Sequence, residues 1–99
     1  KFFDTFKAAG LKPDVAQVSS WDPMLIAVDA LRKVGPNATA VQLRDYIAHL
    51  KGYAGINGLY DFEKDPQRGL SEENVVVTRW SAEAETWQVV SKERGVPID

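Results

Sequence analysis

The chain has 99 residues, of which 44% are hydrophobic and 26% are charged, and this composition is typical of one small globular domain. Its net charge is -2 and it has no cluster of Lys or Arg, which argues against nucleic acid or an anionic membrane surface as its partner. It has no Cys, so disulfides, thiolate nucleophiles and Cys-based metal sites are excluded. Its longest apolar runs are far shorter than the roughly 20 residues that a membrane-spanning helix requires.

The N-terminal residues predict a short helix that ends near Gly10. Four apolar side chains share one face of it: Phe2, Phe3, Phe6 and Ala9. The chain starts at Lys1, with neither Met nor the parts of a signal peptide, so we expect it to be a piece of a longer protein. A polar turn over residues 11–14 and a short extended or irregular run over residues 15–18 follow.

The strongest helix signal predicts a central helix over residues 21–34. Pro lacks the N–H that a first helical turn leaves unused, so Asp22 suits the N-cap and Pro23 the first helical position. Competing caps lie one turn earlier, at residues 19–20, and a Gly-Pro pair at residues 35–36 marks the end. Five side chains form the predicted buried stripe: Trp21, Met24, Leu25, Val28 and Leu31.

A further helix is predicted from a capping box, in which Thr39 and Gln42 exchange hydrogen bonds, to a stop at Lys51 and Gly52. Its buried stripe consists of four side chains: Leu43, Tyr46, Ile47 and Leu50.

The remaining residues predict strands. A glycine-containing turn over residues 55–58 leads to a short strand over residues 59–62, with Tyr60 and Phe62 on one side. After a polar loop, the β-branched and aromatic residues 75–80 and the segment 86–90 predict an antiparallel hairpin. The tail over residues 92–99 has little reason to be ordered alone. Three helices, a strand and a hairpin are α+β when they stand alone.

Several residue patterns suggest chemistry, but a structural role is favoured for each. His49, the one histidine, is expected to face solvent. Acidic residues at calcium-loop spacing surround Pro66, which occupies the position where that loop requires Gly. The three tryptophans could line a pocket, but core packing is favoured. No pattern predicts a catalytic, metal or cofactor site. The acidic set is Asp61, Glu63, Asp65 and Glu72, and the tryptophans are Trp21, Trp80 and Trp87.

The order of motifs resembles the C-terminal part of type I periplasmic solute-binding proteins, the branched-chain amino acid receptor family of ABC transporters. Residues 20–31, which carry Trp21-Asp22-Pro23, resemble the family's aromatic-Asp-Ala segment and the aliphatic helix after it. Residues 39–50 resemble its Leu-Arg-Asp helix, and residues 51–62 resemble its glycine-turn stretch that ends in Phe-Asp. The segments 75–80 and 87–90 resemble its closing hairpin.

Three departures from the family pattern leave the ligand open. Pro23 stands where the family commonly has Ala, and the turn over residues 81–85 lacks the usual Gly. Residues 66–69 replace a simpler Asp/Gly turn.

The resemblance implies an α/β fold with two lobes, which catch a solute by hinge closure. The chain would be a C-terminal fragment, with about residues 1–70 from the N-terminal lobe and about residues 75–99 from the other. The resemblance implies an exported periplasmic protein that is not an enzyme and needs no cofactor. Its partners would be an amino acid or an aromatic or aliphatic carboxylate, and the ABC permease.

The stretch before the central helix faces the ligand cleft in that family. The resemblance therefore implies that Gln17 and Ser19 hydrogen-bond a solute and that Trp21 stacks on it.

The fragment interpretation leaves apolar helix faces and strand edges without partners, so we expect self-association or domain swapping. Two alternatives stay open at this point. One is a ligand-sensing domain of a receptor or regulator with the same fold, and the other is a small α+β oligomerisation module.

Overall fold

The computed structural model describes residues 1–98, in which three α-helices precede two antiparallel two-stranded sheets. The chain divides into two compact units, of which the first is Lys1–Gly69 and the second begins at Leu70. The mixed α+β content predicted for the isolated chain is confirmed. The helices are α1 (Phe2–Ala8), α2 (Val15–Val34) and α3 (Ala40–Ala48), and the strands are β1 (Lys51–Ala54), β2 (Leu59–Asp61), β3 (Thr78–Ser81) and β4 (Thr86–Val89).

The central helix α2 begins at Val15, well before the predicted start near residue 21. Its N-cap is Asp14, whose carboxylate accepts a hydrogen bond from the N–H of Ala16 at 2.9 Å. The Gln17 side chain accepts one from the N–H of Asp14 at 3.0 Å and completes a capping box. The predicted extended or irregular run over residues 15–18 is therefore wrong: these residues are helical, and the reciprocal pair satisfies the N–H groups of Asp14 and Ala16 at the helix start.

Pro23 lies inside α2 rather than at its first position. Proline has no N–H, so the carbonyl of Ser19 cannot receive the usual helical hydrogen bond from residue 23. The predicted N-cap at Asp22, and the competing caps one turn earlier, are wrong because Asp14 already caps the helix.

The buried face of α2 differs from the predicted apolar stripe. Asp22, Ile26 and Ala30 follow one another at four-residue spacing and are 1%, 4% and 0% exposed. Met24 and Leu31, which belong to the predicted stripe, are 65% and 41% exposed. Helical spacing shows which residues share a face. Because Asp22 is buried, however, the face toward the core is the one that carries Asp22, Ile26 and Ala30, next to the predicted apolar stripe. The other three predicted residues are half-buried: Trp21, Leu25 and Val28.

The two flanking helices agree better with prediction. In α1, Phe2 is buried and its ring meets that of Trp21 edge-on at 5.0 Å, whereas Phe3 is exposed against expectation. The capping box of Thr39 and Gln42 at the start of α3 is confirmed. The α3 helix ends at Ala48, before the predicted stop. Its half-buried residues are three of the predicted stripe, Leu43, Tyr46 and Ile47, and the fourth, Leu50, is half-buried just beyond the helix.

Strand β1 was not expected, and it pairs with β2 where the α3 helix was predicted to end. The pairing skips Gly52 between Lys51 and Tyr53, and Gly52 has a φ of 72°, which suits the extra residue of a bulge. The predicted strand at β2 is confirmed. Tyr60 and Phe62 stack with their ring centroids 5.9 Å apart, as their shared side predicts.

In the second unit, β3 and β4 form the predicted antiparallel hairpin, with Trp80 opposite Trp87. Residues 75–77 precede the strand, so β3 is shorter than predicted. The segment after β4 is held in place, against expectation: Ser91 bridges to Pro97, and Arg94 pairs with a carboxylate of the 3-10 helix Glu72–Asn74. Asp99, the end of the predicted tail, lies outside the described residues.

Candidate functional site

A buried carboxylate joins α2 to the turn between β1 and β2. Oδ1 of Asp22 accepts a hydrogen bond from the N–H of Ile56 at 2.9 Å, and Oδ2 accepts one from the N–H of Asn57 at 2.9 Å. The same Oδ2 accepts from Nδ2 of Asn57 at 2.9 Å and from the hydroxyl of Tyr60 at 3.1 Å. Asp22 is 1% exposed, so these donors replace the water that the charge has lost. We call Asp22, Ile56, Asn57 and Tyr60 the Asp22 junction.

The turn supplies its donors because of its backbone geometry. The N–H of Gly55 donates to the carbonyl of Gly58 at 2.9 Å, which closes the turn and leaves the two intervening N–H groups free to reach Asp22. Gly55 lies so close to the carboxylate that a Cβ there would stand 2.5 Å from Oδ2 and 2.8 Å from the Tyr60 ring. A glycine is required at this position by space.

The Asn57 side chain makes a second connection to the helix. Its Nδ2 also donates to the carbonyl of Val18 at 3.1 Å, one turn before Asp22. Asn57 therefore binds α2 through the side chain of Asp22 and the main-chain carbonyl of Val18, and these two bonds use both hydrogens of its amide.

The negative charge of Asp22 is stabilised by neutral hydrogen-bond donors. Burial acts to raise the pKa of Asp22, but the hydrogen bonds from the Ile56 and Asn57 N–H groups, the Asn57 amide and the Tyr60 hydroxyl together lower it below the ordinary carboxyl value. Burial raises the pKa of Tyr60, and the hydrogen bond to Asp22 adds to that rise while the one from Asn57 opposes it. Asp22 is therefore an ionised acceptor at neutral pH, a state suited to holding structure and poorly suited to proton transfer.

A neighbouring tyrosine extends this polar region along α2. Burial raises the pKa of Tyr53, and the nearby charges of Asp29 and Asp22 and a hydrogen bond to Asp29 raise it further. The Tyr53 and Tyr60 rings meet edge-on with centroids 6.3 Å apart. The two phenols thus remain protonated donors toward carboxylates on one side of the helix.

The three residues predicted to contact a solute lie in the first two turns of α2. Gln17 is exposed and completes the N-terminal capping box, so its side-chain oxygen is already engaged. Ser19 is exposed, and Trp21 is half-buried against the Phe2 ring. Because these residues are helical, their side chains point in directions different from those that an extended segment would give them. Their role in binding a ligand stays a prediction.

Sequence reasoning missed the pairing of Asp22 with Asn57 and Tyr60. One signal was available: an acidic residue stands between apolar positions of the helix, and the later turn offers N–H groups that no strand uses. Both stretches are among those that carry the family resemblance.

Comparison with protein-family models, with curated proteins and with solved structures finds no match to this chain. None of the helices in residues 1–98 is long and apolar enough to span a membrane. Over the same residues, no group of three or more acidic or histidine side chains is placed to hold a metal ion.

Proposed function

We propose that the chain is the C-terminal part of a substrate-binding component of an ABC importer, which binds an amino acid or a related small carboxylate without catalysis. In this proposal the whole protein is exported to the periplasm and delivers its solute to a membrane permease. The observation that carries the proposal is the Asp22 junction. It joins by hydrogen bonds two of the stretches on which the resemblance rests, residues 20–31 and residues 51–62, which contain the turn over residues 55–58.

The chemistry of the junction supports a binding role over a catalytic one. The Asp22 carboxylate accepts hydrogen bonds from neutral donors of the same chain, and its lowered pKa keeps it ionised. Such a group fixes the orientation of α2 against the turn between β1 and β2, and a rigid support is what a solute-contacting helix end requires.

The surface of the chain supports the proposal that it works as part of a larger assembly. Several large apolar side chains are exposed to water, and covering such surface is energetically favourable. In the first unit these include Val15 at 80% exposure and Met24 at 65%, and in the second Trp87 at 64%. The upstream part of a longer protein, or a second copy of this chain, would cover such groups.

The test is a thermal-shift screen of the full-length protein against amino acids and aromatic acids, with calorimetry on each hit. A ligand at 100 times its Kd stabilises the folded state by about 2.7 kcal/mol, which moves the melting temperature measurably. Stabilisation by an amino acid or an aromatic acid supports the proposal. Absence of any shift across both classes contradicts it.

The predicted contact residues have a matched control. Gln17→Ala and Asp14→Ala both break the same capping box, but only Gln17→Ala removes a predicted solute contact. We expect about tenfold weaker binding for Gln17→Ala than for Asp14→Ala, which is the loss of one hydrogen bond. Equal affinities in the two variants would assign Gln17 to the helix cap alone.

A further inference from the structure

The side-chain NH2 group of Asn57 donates to both Val18 and Asp22, and Asn57 is followed by Gly58. A glycine successor offers the least hindered backbone nitrogen for attack on an asparagine side chain. We propose that Asn57 is a conditional deamidation site, protected while it is bound in the Asp22 junction and converted once the junction opens. Conversion then prevents the junction from forming again.

The reaction needs only water as a co-reactant. The backbone nitrogen of Gly58 loses its proton and bonds to Cγ of Asn57, the bond from Cγ to Nδ2 breaks, and Nδ2 leaves with that proton as ammonia. The product is a five-membered succinimide. Water adds to either of its two carbonyls and opens the ring, which yields aspartate in the normal chain or isoaspartate with the chain routed through the side chain.

The junction opposes the first step in two ways. Nδ2 donates to the carbonyl of Val18 at 3.1 Å and to Oδ2 of Asp22 at 2.9 Å, so the side chain is held and the leaving group is restrained. The attack also develops negative charge on Oδ1 of Asn57, and the ionised Asp22 disfavours that charge electrostatically. Cyclisation therefore requires that the turn first separate from α2.

The products cannot restore the junction. A carboxylate at position 57 has no N–H to donate, so it would place its own negative charge against that of Asp22 and against the Val18 carbonyl. Isoaspartate additionally lengthens the main chain inside the closed turn between Gly55 and Gly58. One opening event followed by deamidation thus becomes a permanent loss of the contact between α2 and the turn between β1 and β2.

The chain contains its own reference sites for a test. Its other two asparagines, Asn37 and Asn74, precede Ala38 and Val75 rather than glycine. The full chain is incubated at mildly alkaline pH in native buffer and in urea, and peptide mass spectrometry follows the exchange of NH2 for OH at each asparagine. In urea we expect Asn57 to convert fastest of the three.

In native buffer we expect Asn57 to convert at least about tenfold more slowly than in urea, which corresponds to an opening free energy of about 1.4 kcal/mol. Equal rates for Asn57 in both conditions, while circular dichroism shows the native chain to be folded, would overturn the protection. Asp22→Asn should raise the native rate at Asn57, and the exposed Asp45→Asn should leave it unchanged.

The second half of the proposal has a separate test that does not depend on a reaction rate. Asn57→Asp imitates the normal product and should unfold at lower urea concentration than the wild type. Adding Asp22→Asn restores one carboxylate and one amide to the pair, and we expect it to recover part of the lost stability. A double variant no more stable than Asn57→Asp alone would show that repulsion between the two carboxylates is not the cause.

Discussion

Oδ2 of Asp22 accepts a hydrogen bond from the N–H of Asn57 at 2.9 Å, across 35 residues of chain. The contact binds the middle of α2 to the turn between β1 and β2. Because the carboxylate is buried among neutral donors, each partner depends on the other for its hydrogen bonds. The first unit therefore has one polar centre whose loss is expected to affect the whole unit.

Removing the Asp22 carboxylate should be the most damaging single polar change. Asp22→Ala leaves the N–H groups of Ile56 and Asn57 without acceptors, and we expect a loss of about 3 kcal/mol in the free energy of unfolding. Asp22→Asn keeps one acceptor oxygen and should cost about 2 kcal/mol. Urea unfolding followed by circular dichroism measures both. Asp45→Asn, at an exposed position of α3, is the control and should change stability by less than about 0.5 kcal/mol.

The same carboxylate predicts a loss of stability in acid. Its native pKa lies below its ordinary value, so the unfolded chain binds the proton more readily than the folded chain does. The stabilisation is fully present above the ordinary carboxyl pKa and is lost as pH falls through the lowered native pKa. Urea midpoints measured from neutral pH down to about pH 3 should fall more steeply for the wild type than for Asp22→Asn. Parallel curves would contradict the assignment.

Two variants can distinguish the observed start of α2, at Val15, from the predicted start near residue 21. Asp14→Ala should cost about 1 kcal/mol, because it removes the acceptor for the Ala16 N–H. Ser19→Ala should be neutral or slightly stabilising, since Ser19 lies inside the helix and alanine is the better helix former. The opposite ranking in urea unfolding would place the helix start near Ser19 instead.

Gly55 and Gly52 are sensitive to substitution for different reasons. Gly55→Ala would push a Cβ into the Asp22 carboxylate and the Tyr60 ring, so we expect it to disrupt the junction and cost about 3 kcal/mol. Gly52→Ala meets no atom within 4 Å but must hold a φ of 72°, which costs about 1 kcal/mol. Thermal unfolding ranks the two. A smaller effect at Gly55 would show that α2 can move away from the turn at little cost.

The second unit offers a spectroscopic prediction. Trp80 and Trp87 face each other across β3 and β4, with ring centroids 5.5 Å apart and planes at 67°. This edge-on pair should give an exciton couplet in circular dichroism that Trp87→Val abolishes. A double-mutant cycle on the pair should give a coupling of about 0.5–1.5 kcal/mol. Gln88→Ala, on the opposite face of the hairpin, should retain the couplet.

Much of the fold follows from interactions between residues that are near each other in the chain. The capping box of Thr39 with Gln42 spans three residues, and the β3–β4 hairpin closes over a short turn, so their patterns are readable locally. The start of α2 is not decided locally, because two capping signals compete, one at Asp14 with Gln17 and one at Asp22 with Pro23. The side chain of Asp22 accepts hydrogen bonds from the distant turn at Ile56 and Asn57, so it does not act as a helix N-cap.

By itself, the sequence determined that three helices and the C-terminal hairpin form, although not where α2 begins or α3 ends, because propensity, capping and periodicity act over a few residues. Only the tertiary structure decided which face of α2 is buried, since that choice depends on hydrogen bonds from Ile56 and Asn57 to a carboxylate 34 and 35 residues earlier. It likewise decided that Asp22 is buried and charged. The residues next to Asp22 in the sequence do not show that distant donors will surround its carboxylate in the folded chain.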